Sequence, residues 1–134
     1  VSPYQYHGLN VLIVDDEATY RRRLRLFLRN RGANVRAAAD AQRAQQLAAR
    51  FSPEILIVDW MLMNHVDGLA LSQTLRAAQP RLQTIVITGY PCPELDERVR
   101  QMPNTCWLSK PFAAGALLEL VHRLGAIARS GAES

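Results

Sequence analysis

The sequence predicts an α/β fold: a doubly wound, five-stranded parallel sheet with five helices on its two faces. Three observations carry this. Short solid apolar runs, Val11-Leu12-Ile13-Val14, Ile55-Leu56-Ile57-Val58 and Ile85-Val86-Ile87, are rich in β-branched residues and read as strands buried on both faces. Stretches of helical periodicity separate them, and strand–helix alternation of this kind implies a parallel sheet with right-handed crossovers. At 134 residues, 49% apolar and 21% charged, the chain can bury one core and has no room for a second.

The elements follow in order. After the first strand, Glu17–Arg31 places Leu24, Phe27 and Leu28 on one helical face, with Gly32 as the stop. Asn34–Ala38 is a weaker strand, supported by its place in the alternation. Asp40 suits the N-cap of a helix running to about Arg50, before the Ser52-Pro53 break. Ile55–Val58 forms the third strand, and Asp67–Ala78, carrying Leu69, Leu71 and Leu75, the third helix. The fourth strand is Ile85–Ile87. Leu95, Val99 and Met102 have the spacing of a short helix starting near Pro93, a residue tolerated in the first turn. Thr105–Ser109 is the fifth strand, a weaker one like the second and resting partly on its place in the alternation. The last helix runs from about Ala113 to Ala128, with Leu117, Leu120, Val121, Leu124 and Ile127 as its stripe.

Several function classes are disfavoured. No apolar run approaches the roughly 20 residues that span a bilayer, and the start lacks a signal-peptide core, so a cytoplasmic location and no membrane association are expected. The chain begins at Val1, which suggests a piece of a longer protein: residues 1–8 as a linker or N-terminal extension, 9–129 as the domain, and 130–134 as a C-terminal tail. Cys92 and Cys106 lack disulfide or metal spacing, and His7, His65 and His122 are scattered, which disfavours zinc. Net charge is +4, but the arginines at 21, 22, 23, 25, 29 and 31 concentrate on one helix without interleaved aromatics. They read as a solvated face, and direct nucleic-acid binding is not expected. Of the 16 Lys and Arg residues, Lys110 is the one lysine. A lone ammonium in an arginine-using chain hints at a site that needs a compact point charge.

In open parallel sheets, function sits at the carboxyl ends of the strands. The first strand ends in Asp15-Asp16-Glu17, the third at Asp59, the fourth at Thr88 and the fifth at Ser109-Lys110-Pro111. Converging carboxylates need a cation to offset them, and hard oxygen ligands point to Mg²⁺. A hydroxyl and an ammonium beside them suit phosphoryl oxygens. Together these groups describe a site that places phosphate on a carboxylate. A strand-end Asp or Thr is often just a cap or turn former, but that explains the whole set poorly.

Val11–Glu17, the lone Asp59 after Ile55–Val58, Ile87-Thr88-Gly89 and Lys110-Pro111-Phe112 resemble the signature of response-regulator receiver domains, over roughly Leu9 to Ile127. The resemblance implies a flavodoxin-like three-layer sandwich with strand order 2-1-3-4-5. It implies that Asp59 accepts phosphate from a bacterial sensor histidine kinase or a phosphotransfer domain. Asp16, Asp59 and the Met61 backbone carbonyl would hold Mg²⁺, with Asp15 acting mainly through water. Lys110 would pair with the phosphoryl oxygens, Thr88 would swing toward them, and Gly89 would leave access. The Lys110-Pro111 bond would be cis, and Trp107 would take the switch-aromatic position, although packing beneath a helix is its plain alternative. Homodimerisation through the fourth helix, fifth strand and fifth helix is the family's habit.

Two segments depart from the family. After Asp59, Met63 stands where proline is usual and Asp67-Gly68 comes one residue late, implying a longer, less rigid loop. After Gly89, Tyr90-Pro91-Cys92-Pro93 is stiff and bulky, implying a muted switch. A phosphorylation-independent interaction or dimerisation module is therefore the alternative reading. An aspartate-nucleophile phosphatase is disfavoured, because such enzymes carry nucleophile and acid two residues apart.

Overall fold

The structure, a computed structural model, describes residues 8–62 and 66–132; residues 1–7 of the expected 1–8 extension, together with 63–65 (Met63 and His65 among them) and 133–134, lie outside the described residues. The elements are β1 (Asn10–Val14), α1 (Ala18–Arg29), β2 (Asn34–Ala38), α2 (Ala41–Phe51), β3 (Ile55–Asp59), β4 (Met61–Leu62), β5 (Val66–Asp67), α3 (Gly68–Ala78), β6 (Gln83–Thr88), α4 (Pro93–Arg100), β7 (Thr105–Ser109) and α5 (Ala114–Ala132). The main sheet is parallel in the order β2-β1-β3-β6-β7, the expected 2-1-3-4-5 arrangement once the small hairpin is set apart.

The three solid apolar runs form the sheet's centre. Each central strand has a helix layer on both faces, so alternate residues feed two cores. Val11, Ile13, Ile55, Ile57, Ile85 and Ile87 meet α1 and α5 on one side; Leu12, Val14, Leu56, Val58 and Val86 meet α2, α3 and α4 on the other. Burying each such side chain contributes about 1.5–3 kcal/mol. The weaker strand candidates, β2 and β7, are the two edges, which is why their sequences are less apolar.

Local signals act as read. Asp40 caps α2 by accepting from the Arg43 backbone N–H at 2.8 Å, and Ser52 ends that helix in a left-handed conformation with φ of 52°. Gly32 turns the chain after α1 with φ of 92°. Asp67 caps α3 from outside it, accepting from Leu69 N–H at 2.8 Å.

Three expectations need correction. Ile127 is 49% exposed, and the buried stripe of α5 is instead Leu117, Leu118, Val121, Leu124 and Ala128. The helix also runs on to Ala132. The loop after Asp59 is not wholly irregular: β4 and β5 pair antiparallel, Met61 with Asp67 and Leu62 with Val66.

Candidate functional site

The carboxyl edge of the sheet collects the predicted groups. Asp15 follows β1, and its N–H donates to the Ala38 carbonyl of β2 at 3.2 Å. Its side chain is buried, with Oδ1 accepting from Glu17 N–H at 2.9 Å and Oδ2 meeting Lys110 Nζ at 3.2 Å. Its carbonyl accepts from Arg21 Nη1 at 2.7 Å, so the residue is fixed at both ends. Asp59 closes β3, and the following Trp60 N–H donates across to the Ile87 carbonyl of β6. Asp59 Oδ1 accepts from Met61 N–H at 3.3 Å, while Oδ2 stands 3.7 Å from Lys110 Nζ. Asp16 is half-buried beside them.

One oxygen from each of Asp15, Asp16 and Asp59 can be chosen so that all three lie within 4.8 Å of one another. Three carboxylates facing one ammonium leave the crevice net negative. Burial pushes the Asp59 carboxyl above its ordinary value, opposed by Lys110, reinforced by Asp15, relieved by the Met61 N–H and raised again by Asp16. An all-oxygen donor set with uncompensated negative charge fits a hard divalent cation such as Mg²⁺.

Thr88, buried at the end of β6, accepts from Tyr90 N–H through Oγ1 at 3.0 Å, and its carbonyl accepts from Lys110 N–H at 2.7 Å. The hydroxyl and the ammonium therefore ride on hydrogen-bonded neighbours. At Gly89, the residue after Thr88, an added Cβ would meet nothing within 4 Å. The Lys110–Pro111 peptide is cis, as expected. Helix α4 starts at Pro93, as the sequence indicates, while Tyr90 lies exposed at the rim.

Trp107 stands apart from the acids. It is partly buried in β7 on the α4 side, beside the core that holds Leu95 and Val99, and Nε1–H donates to Asp96 Oδ1 at 3.1 Å. The other Asp96 oxygen pairs with Arg100 at 3.0 Å. The tryptophan thus packs beneath a helix and is also tied to it. Replacing Asp96 with alanine leaves the half-buried indole N–H without this acceptor and is expected to cost about 1 kcal/mol, read from urea midpoints.

Two contributors escaped the sequence reading. A Cβ on Gly68 would strike the Asp59 backbone carbonyl oxygen, so α3 can start against the end of β3 only with glycine there. The Asp-Gly pair was visible, but the neighbour it makes room for was not. Asp67 beside it, besides capping α3, pairs with Arg98 of α4 at 2.6 Å. The second contributor is Tyr20 of α1, whose ring centroid lies 4.1 Å from Lys110 Nζ. Its position in the helix gave no signal beyond an apolar face.

No described helix is long and apolar enough to cross a membrane. Residues 11–122 match the response regulator receiver domain family. A putative NtrX-like response regulator of Rickettsia felis is 28% identical over 116 residues, covering 86% of this chain and 24% of that protein. Response regulator MprA of Mycobacterium leprae is 33% identical over 123 residues, covering 90% of this chain and 51% of the relative. The chain thus spans about a quarter to a half of these relatives. Among solved structures, the chemotaxis protein CheY4 of Vibrio cholerae superposes with a TM-score of 0.78 at 26% identity, over 87% of this chain and 98% of that one. NtrX from Brucella abortus, solved in complex with ADP, gives 0.83 at 26% identity, over 94% of this chain and 29% of that one. The sheet order, the acidic edge and these matches agree: the chain belongs to the response regulator receiver domain family of two-component systems.

Proposed function

We propose that this domain accepts a phosphoryl group on Asp59 from a phosphohistidine of a histidine kinase or phosphotransfer domain, in the bacterial cytoplasm, and thereby switches protein contacts. The observation that carries the reading is the meeting of Asp15, Asp16 and Asp59, with the first and last of these paired to the chain's one lysine. An Asp59 carboxylate oxygen attacks phosphorus as the P–N bond breaks, and the imidazole leaves neutral, keeping the proton already on its other ring nitrogen. Asp16, Asp59 and the Met61 carbonyl would hold Mg²⁺, with Asp15 reaching it through water; the bound ion supplies charge neutralisation for phosphoryl oxygens. Lys110 takes one of those oxygens, Thr88 offers its hydroxyl, and Gly89 leaves them room. The domain's chemistry is limited to its own phosphorylation and hydrolysis. The receiver unit is assigned to 9–129, with the flanking residues as extension and tail, and dimerisation, where it occurs, to the α4–β7–α5 face.

The indole–Asp96 bond favours a restrained switch, with Trp107 held on α4 and the Pro91 and Pro93 segment stiff. Incubation with acetyl phosphate and Mg²⁺ tests the main reading. A hydroxylamine-labile phosphate mapped to Asp59 is expected. A folded protein that gains no phosphate and binds no beryllofluoride would instead be a phosphorylation-independent interaction module.

A further inference from the structure

Lys110 must hold a flexible four-carbon stem still if its ammonium is to meet a phosphoryl oxygen. Asp15 meets the ammonium at 3.2 Å, but Asp59 is 3.7 Å away and its charge is what phosphorylation alters. The ammonium also lies over the Tyr20 ring, 4.1 Å from its centroid, and Phe112 meets that ring edge-on at 6.3 Å and 85°. Tyr20, Phe27 and Phe112 pack against the core that holds Leu24, and the four also line one apolar groove of about 440 Å³.

We infer that Tyr20 is a positioning residue for phosphoryl transfer, its ring face holding the Lys110 ammonium over the Asp15–Asp59 crevice. The inference rests on the receiver reading and names a group that this reading does not require. The ring, not the hydroxyl, is the working part. Tyr20 Oη is buried with no hydrogen-bond partner among the described residues. Burial, then Asp15, Asp59 and Glu17, push its ionisation far above the ordinary tyrosine value, so the phenol stays neutral and meets the cation through its π face.

The single lysine makes the test direct. Its side-chain Cε–Hε resonance is expected upfield of a solvated lysine through the Tyr20 ring current. Tyr20→Phe keeps that shift and keeps the acetyl phosphate labelling rate within about twofold, because the face of Phe serves as well. Tyr20→Leu loses the shift and slows labelling about two- to thirtyfold, the rate equivalent of a cation–π contact. If the leucine variant does not fold, the unbranched Tyr20→Met takes its place. A lysine signal unmoved by either aliphatic variant, a lost shift with an unchanged rate, or Tyr20→Phe as slow as Tyr20→Leu would each overturn the inference. Wild-type protein that takes no phosphate would overturn the receiver reading alone, and the lysine signal would still decide whether the ring holds the ammonium.

Discussion

The Asp59→Asn variant is expected to take up no phosphate from acetyl phosphate, and to be more stable than the wild type at neutral pH. The first outcome follows from removing the nucleophilic carboxylate. The second follows from the sign of the Asp59 shift. Its carboxyl titrates above the ordinary value in the folded domain, so the folded state binds this proton more readily than the unfolded chain. The stability tied to that proton is full below the unfolded pKa of about 3.9 and is lost as pH rises through the higher folded value. At neutral pH the ionised group is therefore a net cost, set by burial and by Asp15 and Asp16 and only partly offset by Lys110 and the Met61 N–H. Asparagine keeps the shape without the charge. Urea midpoints of the two proteins should differ at pH 7 and converge toward pH 4. Equal midpoints at both pH values would show that Asp59 carries no such cost. Divalent cation should narrow the neutral-pH gap by stabilising the wild type preferentially.

Gly68→Ala is expected to destabilise the domain by about 3 kcal/mol, although alanine is the better helix former by about 1 kcal/mol. The added methyl meets the Asp59 carbonyl oxygen, a backbone atom at the end of a central strand that cannot rotate aside, with Val58 Cγ2 at 3.1 Å behind it. Relief requires moving either α3 or Asp59 itself. Loss of divalent-cation affinity should therefore accompany the drop in stability. Gly89→Ala is the matched control: its methyl enters open space, and its midpoint should stay within about 0.5 kcal/mol of the wild type. Similar losses at the two glycines would show that the Gly68 contact is not what matters.

Much of this was legible in the chain because the sheet is parallel and buried. Central strands with both faces covered must be apolar at every position, so Val11–Val14 and Ile55–Val58 announce themselves, and the polar residue ending each run marks the functional edge. The edge strand β7 is legible partly through its place in the order, since partial exposure dilutes its pattern. What the one-dimensional pattern does not carry are meetings between distant segments. Tyr20 reads as one more apolar residue of α1 until the fold brings Lys110 onto its face, 90 positions later in the chain. The hairpin of β4 and β5 is two residues per strand, too short for alternation to register. Ile127 was misplaced because α5 turns Leu118 and Ala128 inward in its stead.

Asp67 holds the start of α3 with one oxygen and Arg98 of α4 with the other. One carboxylate thus ties the start of α3, which stands against the end of β3, to the helix beyond Thr88. Replacing Asp67 would free both attachments together.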